Sequence, residues 1–173
     1  MAPSGQTRLG SLETTGFDLQ ANYSYDAGAT GVFSFDYVGT FLESLEVQSL
    51  PDASVTPPFD CVGLYGGRCQ SNFGNGANPE YRHKASATWM PLDGKLSVTG
   101  TWRHFSEVDL DASNPAPINA SFDAQDYFDL SSSYQLLDNT RIRFGVNNVT
   151  DEDPPLSSVV GTAPGNGNTY PQV

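Results

Sequence analysis

Hydrophobicity alternates with period two along six separate stretches of this chain, and that alternation limits what the chain can fold into before any single residue is considered. In 13–25, Phe17, Leu19, Ala21, Tyr23 and Tyr25 share one face, while Asp18, Gln20, Asn22 and Ser24 share the other. In 32–46, Phe33, Phe35, Tyr37 and Phe41 stand against Ser34, Asp36, Val38 and Thr40. The pattern repeats in 80–90 (Ala85, Ala87, Trp89 against Lys84, Ser86, Thr88) and in 95–109 (Leu96, Val98, Gly100, Trp102 against Ser97, Thr99, Thr101, Arg103). It continues in 125–136 (Phe128, Leu130, Ser132, Tyr134, Leu136 against Tyr127, Asp129, Ser131, Ser133) and ends in 141–147, where Ile142, Phe144 and Val146 oppose Arg141, Arg143, Gly145 and Asn147. A helix would scatter these residues around its circumference, whereas a strand sends successive side chains to opposite faces.

The connections sort by length. Asp26–Gly31, Pro91-Leu-Asp-Gly94 and Leu137-Asp-Asn139 are short, and the Asp-Gly pair is a hairpin signature. The stretches 47–79 and 110–124, and the Gly/Pro/Asn-rich segment from 151 onward, are long and irregular. Short turns at one rim and long loops at the other are the pattern of outer-membrane barrels. Several strands exceed the roughly 9–11 residues that cross a bilayer, against about five or six for a soluble strand. One face is Ser, Thr, Asn, Gln and Asp with a few Arg, as a water-filled interior requires. The other places aromatics near strand ends, as interfacial girdles would. A curved sheet with an ordinary core face shows the same alternation and is the alternative. No run approaches the roughly 18 apolar residues of a spanning helix. The expected fold is all-β, an antiparallel up-and-down meander of about six long strands. Since small membrane barrels start at about eight strands, it would be an incomplete segment of a transmembrane β-barrel.

The last strand and its turn, Arg141-Ile-Arg-Phe-Gly-Val-Asn-Asn-Val-Thr-Asp-Glu-Asp-Pro-Pro155, resemble the penultimate strand and following loop of TonB-dependent outer-membrane receptors. Chains of that family typically carry a G-[VI]-x-N-[LV]-[FT]-[DN]-x-x-P-P segment there. By motif the resemblance covers 141–155; by strand pattern it covers essentially the whole chain. It implies that 1–173 is a C-terminal segment of a receptor barrel, without the plug domain, the TonB box or the final strand. It further implies a bacterial outer-membrane location, contact with membrane lipid, a link to the TonB system through the missing plug, and energised uptake of a small-molecule ligand of siderophore, cobalamin or glycan type. Met1–Thr7 lacks a basic region followed by an apolar run, so the chain is expected to begin mid-gene or to have been cut for expression.

The net charge of −12 argues against nucleic acid, because phosphate binding needs clustered Lys and Arg. Solvated acidic loops account for the charge, and capture of a cationic ligand is the functional alternative. The two cysteines, Cys61 and Cys69, have neither the C-x-x-C spacing of a redox motif nor a nearby His to complete a zinc site. A disulfide closing the Gly-rich loop between them is expected, with two free thiols as the alternative. No catalytic set is present: no G-x-S-x-G, P-loop or H-E-x-x-H, and no cofactor motif. His83 and His104 are expected at an interface or in the lumen. Asp151-Glu-Asp153 lacks the spaced ligands of an EF-hand loop and reads as a solvated turn. The Asn119-Ala-Ser and Asn148-Val-Thr triplets match the glycosylation pattern but carry no expectation in a bacterial protein.

Three residues are candidate ligand contacts. Arg103 faces the polar side where a strand leads into a long loop. Arg82 sits at the corresponding level, and Tyr65, in the cysteine-closed loop, could stack on an aromatic or sugar ligand. The principal rival is a soluble secreted β-sandwich of carbohydrate-binding type, with Trp89, Trp102 and Tyr65 as stacking platforms. A small passive porin is a third reading, needing more strands and a closing terminal aromatic.

Overall fold

The computed structural model describes residues 10–48, 50, 52–66, 69, 77–91, 94–111 and 120–155. Its main body is an antiparallel sheet of six long strands: β1 (Ser11–Asp26), β2 (Val32–Gln48), β5 (Tyr81–Met90), β6 (Leu96–Phe105), β9 (Gln125–Leu137) and β10 (Thr140–Val146). They lie side by side in chain order, β1-β2-β5-β6-β9-β10, so each long strand pairs with the next along the chain. The up-and-down meander read from the alternation is therefore present. The sheet is open: β1 and β10 do not pair with each other.

The short turns owe their shape to residues that tolerate positive φ. Between β1 and β2 a single 3₁₀ turn spans Gly28–Thr30, with Gly28 at φ 59° and Gly31 at φ 101°. Asp26 Oδ1 accepts the Gly28 amide at 2.9 Å. A Cβ on Gly31 would overlap the carbonyl oxygen of Met90, so only glycine fits there. The β1–β2 pairing slips at Thr15/Gly16, a bulge where a side chain on Gly16 would meet the Phe41 carbonyl. At the β5–β6 turn Gly94 adopts φ 62° and its amide reaches Pro91 O at 2.9 Å.

The long connections hold a second, smaller layer that sequence periodicity does not reveal. β3 (Phe59–Asp60) pairs with the end of β2. β4 (Leu64–Tyr65), β7 (Val108–Leu110) and β8 (Ser121–Phe122) then form a three-stranded sheet, with β4 parallel to β7 and β7 antiparallel to β8. The stretch 95–109, read from the sequence as one strand, breaks after Phe105. There the Ser106 amide still bonds Tyr81 O, and β7 then leaves for the smaller sheet. Tyr65, Val108 and Phe122 make the core of this cap, with Ala77, Phe105 and Leu110 packed against it. Cys61 and Cys69 form the expected disulfide, their Cα atoms 5.5 Å apart, at the base of β4.

The cap core contrasts with the main sheet. On the apolar face Phe17, Leu19, Tyr23, Tyr25, Phe35, Leu130, Tyr134, Phe144 and Val146 are all exposed. No described layer covers them. Contiguous exposed apolar surface of this kind marks an interaction face.

Candidate functional site

Register assigns every long-strand residue to a face. On the polar face, Arg82 of β5 lies between Thr40 of β2 and Phe105 of β6, and Lys84 lies between Val38 and Arg103. Lys84 and Arg103 are thus directly opposite, an arrangement that destabilises a sheet unless something offsets the repulsion. Arg103 is partly offset. Its Nε and Nη2 donate to the two carboxylate oxygens of Asp129, each at 3.0 Å, and its guanidinium lies 5.4 Å from the centre of the Tyr127 ring. Asp129 Oδ1 also accepts the backbone amide of Asn148 at 2.9 Å. Arg103 therefore fastens β6 to β9 and, through Asp129, to the turn after β10.

The other carboxylates of this face are also satisfied. Thr40 donates to Asp18 at 2.7 Å, and the Asn22 side chain donates to Asp36. Hydroxyl pairs fill the rows between, Ser86 with Thr101 at 3.2 Å, Thr88 with Thr99 at 2.8 Å and Ser97 with Ser133 at 2.9 Å. Arg82 and Lys84 are exposed, and neither forms a salt bridge or side-chain hydrogen bond among the described residues. A hollow of about 200 Å³ opens over Val38, Thr40, Arg82, His83, Lys84, Arg103 and Phe105. A second, of about 220 Å³, reaches from Thr40 and Arg82 to Leu42, Leu45 and Ala77–Pro79 beneath the cap. Phe105 lines the first hollow and packs on the cap core.

Of the candidate contacts read from sequence, Arg82 and Arg103 come together in this patch and Tyr65 does not. Tyr65 has 0% of its surface exposed and packs on Phe122 with ring centres 4.4 Å apart. Its ring is core of the cap and offers no face for stacking, because the disulfide-closed loop folds into a sheet instead of standing in solvent. Lys84 was not among the candidates, yet it was within reach. A hairpin turning at Asp93-Gly94 sets Lys84 opposite Arg103, as in the observed register.

A second polar cluster occupies the cap end of the apolar face. His104 Nδ1 lies 2.9 Å from Asp126 Oδ1, and the Trp102 indole donates to the same oxygen at 2.6 Å. His83, 9% exposed, stacks beside His104 with ring centres 5.2 Å apart and meets Trp102 edge-on at 4.3 Å. Neither ring nitrogen of His83 has a hydrogen-bond partner among the described residues. The rings of both histidines therefore stand on the aromatic side. No group of three or more His, Cys, Asp or Glu among the described residues is placed to hold a metal ion.

The Asn-Asn-x-Thr-Asp segment after β10 has a structural role. Asn148 sits at φ 51° and Asp151 at φ 53°. The Asn148 side chain accepts the Glu152 amide and donates to the Glu152 carbonyl, both at 3.0 Å, closing the turn on itself. With Val149 N bonded to Phe128 O at 2.7 Å, the turn folds back against β9.

No protein-family model, curated protein or solved structure matches this chain.

Proposed function

We propose that this chain is a barrel-wall segment, with its loops, of a TonB-dependent receptor in the bacterial outer membrane, taking part in energised uptake of a scarce small ligand. In this reading the apolar face contacts lipid, the polar face lines the water-filled interior, and the cap belongs to the ligand-gathering rim. The plug and the TonB system that drives it lie outside the chain, and the segment catalyses no reaction.

The observation that carries the reading is the placement of aromatics on the uncovered face. Phe17, Phe41 and Tyr81 stand in one row across β1, β2 and β5, and Tyr25, Phe33 and Trp89 in another, eight residues further along each strand. That separation is roughly 27 Å along a strand, or roughly 20 Å of height at a tilt of about 40°. It is comparable with the apolar band of about 25 Å that aromatic girdles flank in outer-membrane barrels. Between the rows β1 carries Leu19, Ala21 and Tyr23, β5 carries His83, Ala85 and Ala87, and β2 carries Gly39 with the further aromatics Tyr37 and Phe35. The two open edges support a segment that pairs with further strands, since an unpaired edge in lipid costs several kcal/mol per backbone group. The Gly145–Pro155 motif supports the particular family.

One observation favours the rival sugar-binding module. Trp102, half-exposed and stacked on Phe128 at 6.1 Å, borders an apolar dent of about 390 Å³. The chain has two tryptophans, so one experiment separates the readings. Trp89→Phe and Trp102→Phe each leave a single indole to be probed with brominated phospholipids and with aqueous acrylamide. Quenching of both indoles by lipid bromines, with little effect of acrylamide, is expected. Efficient acrylamide quenching that lipid leaves unchanged would exclude the membrane reading and favour the soluble module.

A further inference from the structure

We infer that Arg82 and Lys84 form an anion-binding subsite on the polar face, for a small ligand that carries an oxyanion group such as a carboxylate or phosphate beside an apolar portion. The inference rests on the proposed reading, in which this face is the accessible interior, and narrows the ligand class within it.

Charge placement is the first reason. The chain holds eight Lys and Arg against twenty Asp and Glu, yet Arg82, Lys84 and Arg103 are immediate neighbours across one pair of strands. Against that composition the three form a local excess of positive charge. Here the carboxylates of this face are hydrogen-bonded by Thr40, Asn22 and Arg103; Lys84 feels the charge of Asp129 without touching it, and Arg82 has no acidic partner among the described residues. One carboxylate, Asp129, faces both members of the Lys84–Arg103 opposition and offsets only part of it. A bound anion would offset the rest and would gain charge-assisted hydrogen bonds from both free side chains.

Shape is the second reason. The hollows on either side of Arg82 are of small-molecule scale, and Val38, 47% exposed, is an apolar residue set among polar ones on this face. A guanidinium and an ammonium beside an exposed valine suit a ligand that is anionic at one end and apolar at the other. Arg103, tied to Asp129, is a positioning residue: it holds the β6 wall and sets the local potential without being free to wrap a ligand.

The test uses the full chain in detergent micelles and measures binding of citrate, inorganic pyrophosphate and, as a neutral control, maltotriose by isothermal titration. Citrate or pyrophosphate is expected to bind and maltotriose not to. The double variant Arg82→Gln/Lys84→Gln should weaken anion binding by roughly tenfold or more and flatten its salt dependence. Arg143→Gln, on the same face but on β10, should leave it unchanged. Where the double variant fails to give the strand signal in circular dichroism, Lys84→Gln alone replaces it, with several-fold weakening expected. Absence of anion binding, or equal weakening by Arg143→Gln, overturns the inference, as does binding of maltotriose with affinity equal to citrate. Brominated-lipid quenching on the same sample keeps the two ideas apart. Lipid contact without anion binding removes the subsite alone, and anion binding without lipid contact removes the barrel reading alone.

Discussion

Leu130 and Ser131 are neighbours on β9 that face opposite sides of the sheet, and placing an arginine at each in turn separates a lipid-facing surface from a watery one. Leu130 sits in register with Gly100 of β6, Ala87 of β5 and Phe35 of β2, well inside the apolar face. It is 49% exposed, so in water about half of a leucine's full burial energy of about 1.5–3 kcal/mol is at stake. Leu130→Arg in a solvated sheet should therefore cost about 1 kcal/mol, less whatever the arginine stem recovers by lying along the surface. In a bilayer the same position lies inside the apolar band, in register two residues from the Tyr25–Phe33–Trp89 row and six from the other, where an outward arginine costs about 2 kcal/mol, the low end of the mid-height range. Ser131 is exposed on the polar face, so Ser131→Arg should stay within about 0.5 kcal/mol in either medium. The assay is urea unfolding followed by tryptophan fluorescence, in phospholipid vesicles and in lipid-free buffer. With slopes of about 1–3 kcal/mol per molar urea, the midpoint of Leu130→Arg should fall by about 1 M or more in vesicles while that of Ser131→Arg barely moves. Equal shifts for the two variants in vesicles, or a Leu130→Arg shift no larger there than in buffer, would refute the assignment of this face to lipid.

Gly31→Ala should destabilise by about 2 kcal/mol or more in thermal or urea melts, because it adds a steric overlap with Met90 to a strained φ of 101°. Gly28→Ala, at φ 59° in open space, should cost about 1 kcal/mol. At the turn after β10, Asn148→Ala should lower stability by about 1–2 kcal/mol. Asn148→Gly should be the milder change, because glycine keeps the φ of 51° while losing the clamp on Glu152. A ranking in which alanine is tolerated better than glycine would contradict the left-handed geometry.

The legible part of this fold was the part written in long periods. Runs of ten or more alternating residues, such as those around Phe17–Tyr25 and Phe128–Leu136, announce both the strands and the two faces. The glycines and the Asp-Gly pair mark where the chain reverses. The cap was illegible for a matching reason. β4, β7 and β8 have two or three residues each, too few to display a period. Their stability comes from Tyr65, Val108 and Phe122 meeting across long sequence separations. Tyr65, flanked by Gly63 and Gly66 at positive φ, looks like an exposed loop aromatic until those partners are placed. Within the patch, alternation put Arg82 and Arg103 on one face, and hairpin register could have added Lys84. That Arg103 is tied to Asp129 depends on how β6 meets β9, a pairing across a long loop whose register the sequence leaves open.

The parallel pairing of β4 with β7 has a consequence for the order in which the molecule assembles. Leu64 pairs with Asp109, and the β5–β6 hairpin lies between them in the chain. Closing that contact in a disordered chain would mean gathering a long, floppy loop for a handful of backbone bonds. Once the hairpin has zipped, most of the intervening chain is already folded back on itself and the two ends arrive near each other. The cap is thus a late event that reports on the hairpin beneath it. A lesion at Gly94, at the far end of that hairpin, would be felt first at the rim, far from where it was made.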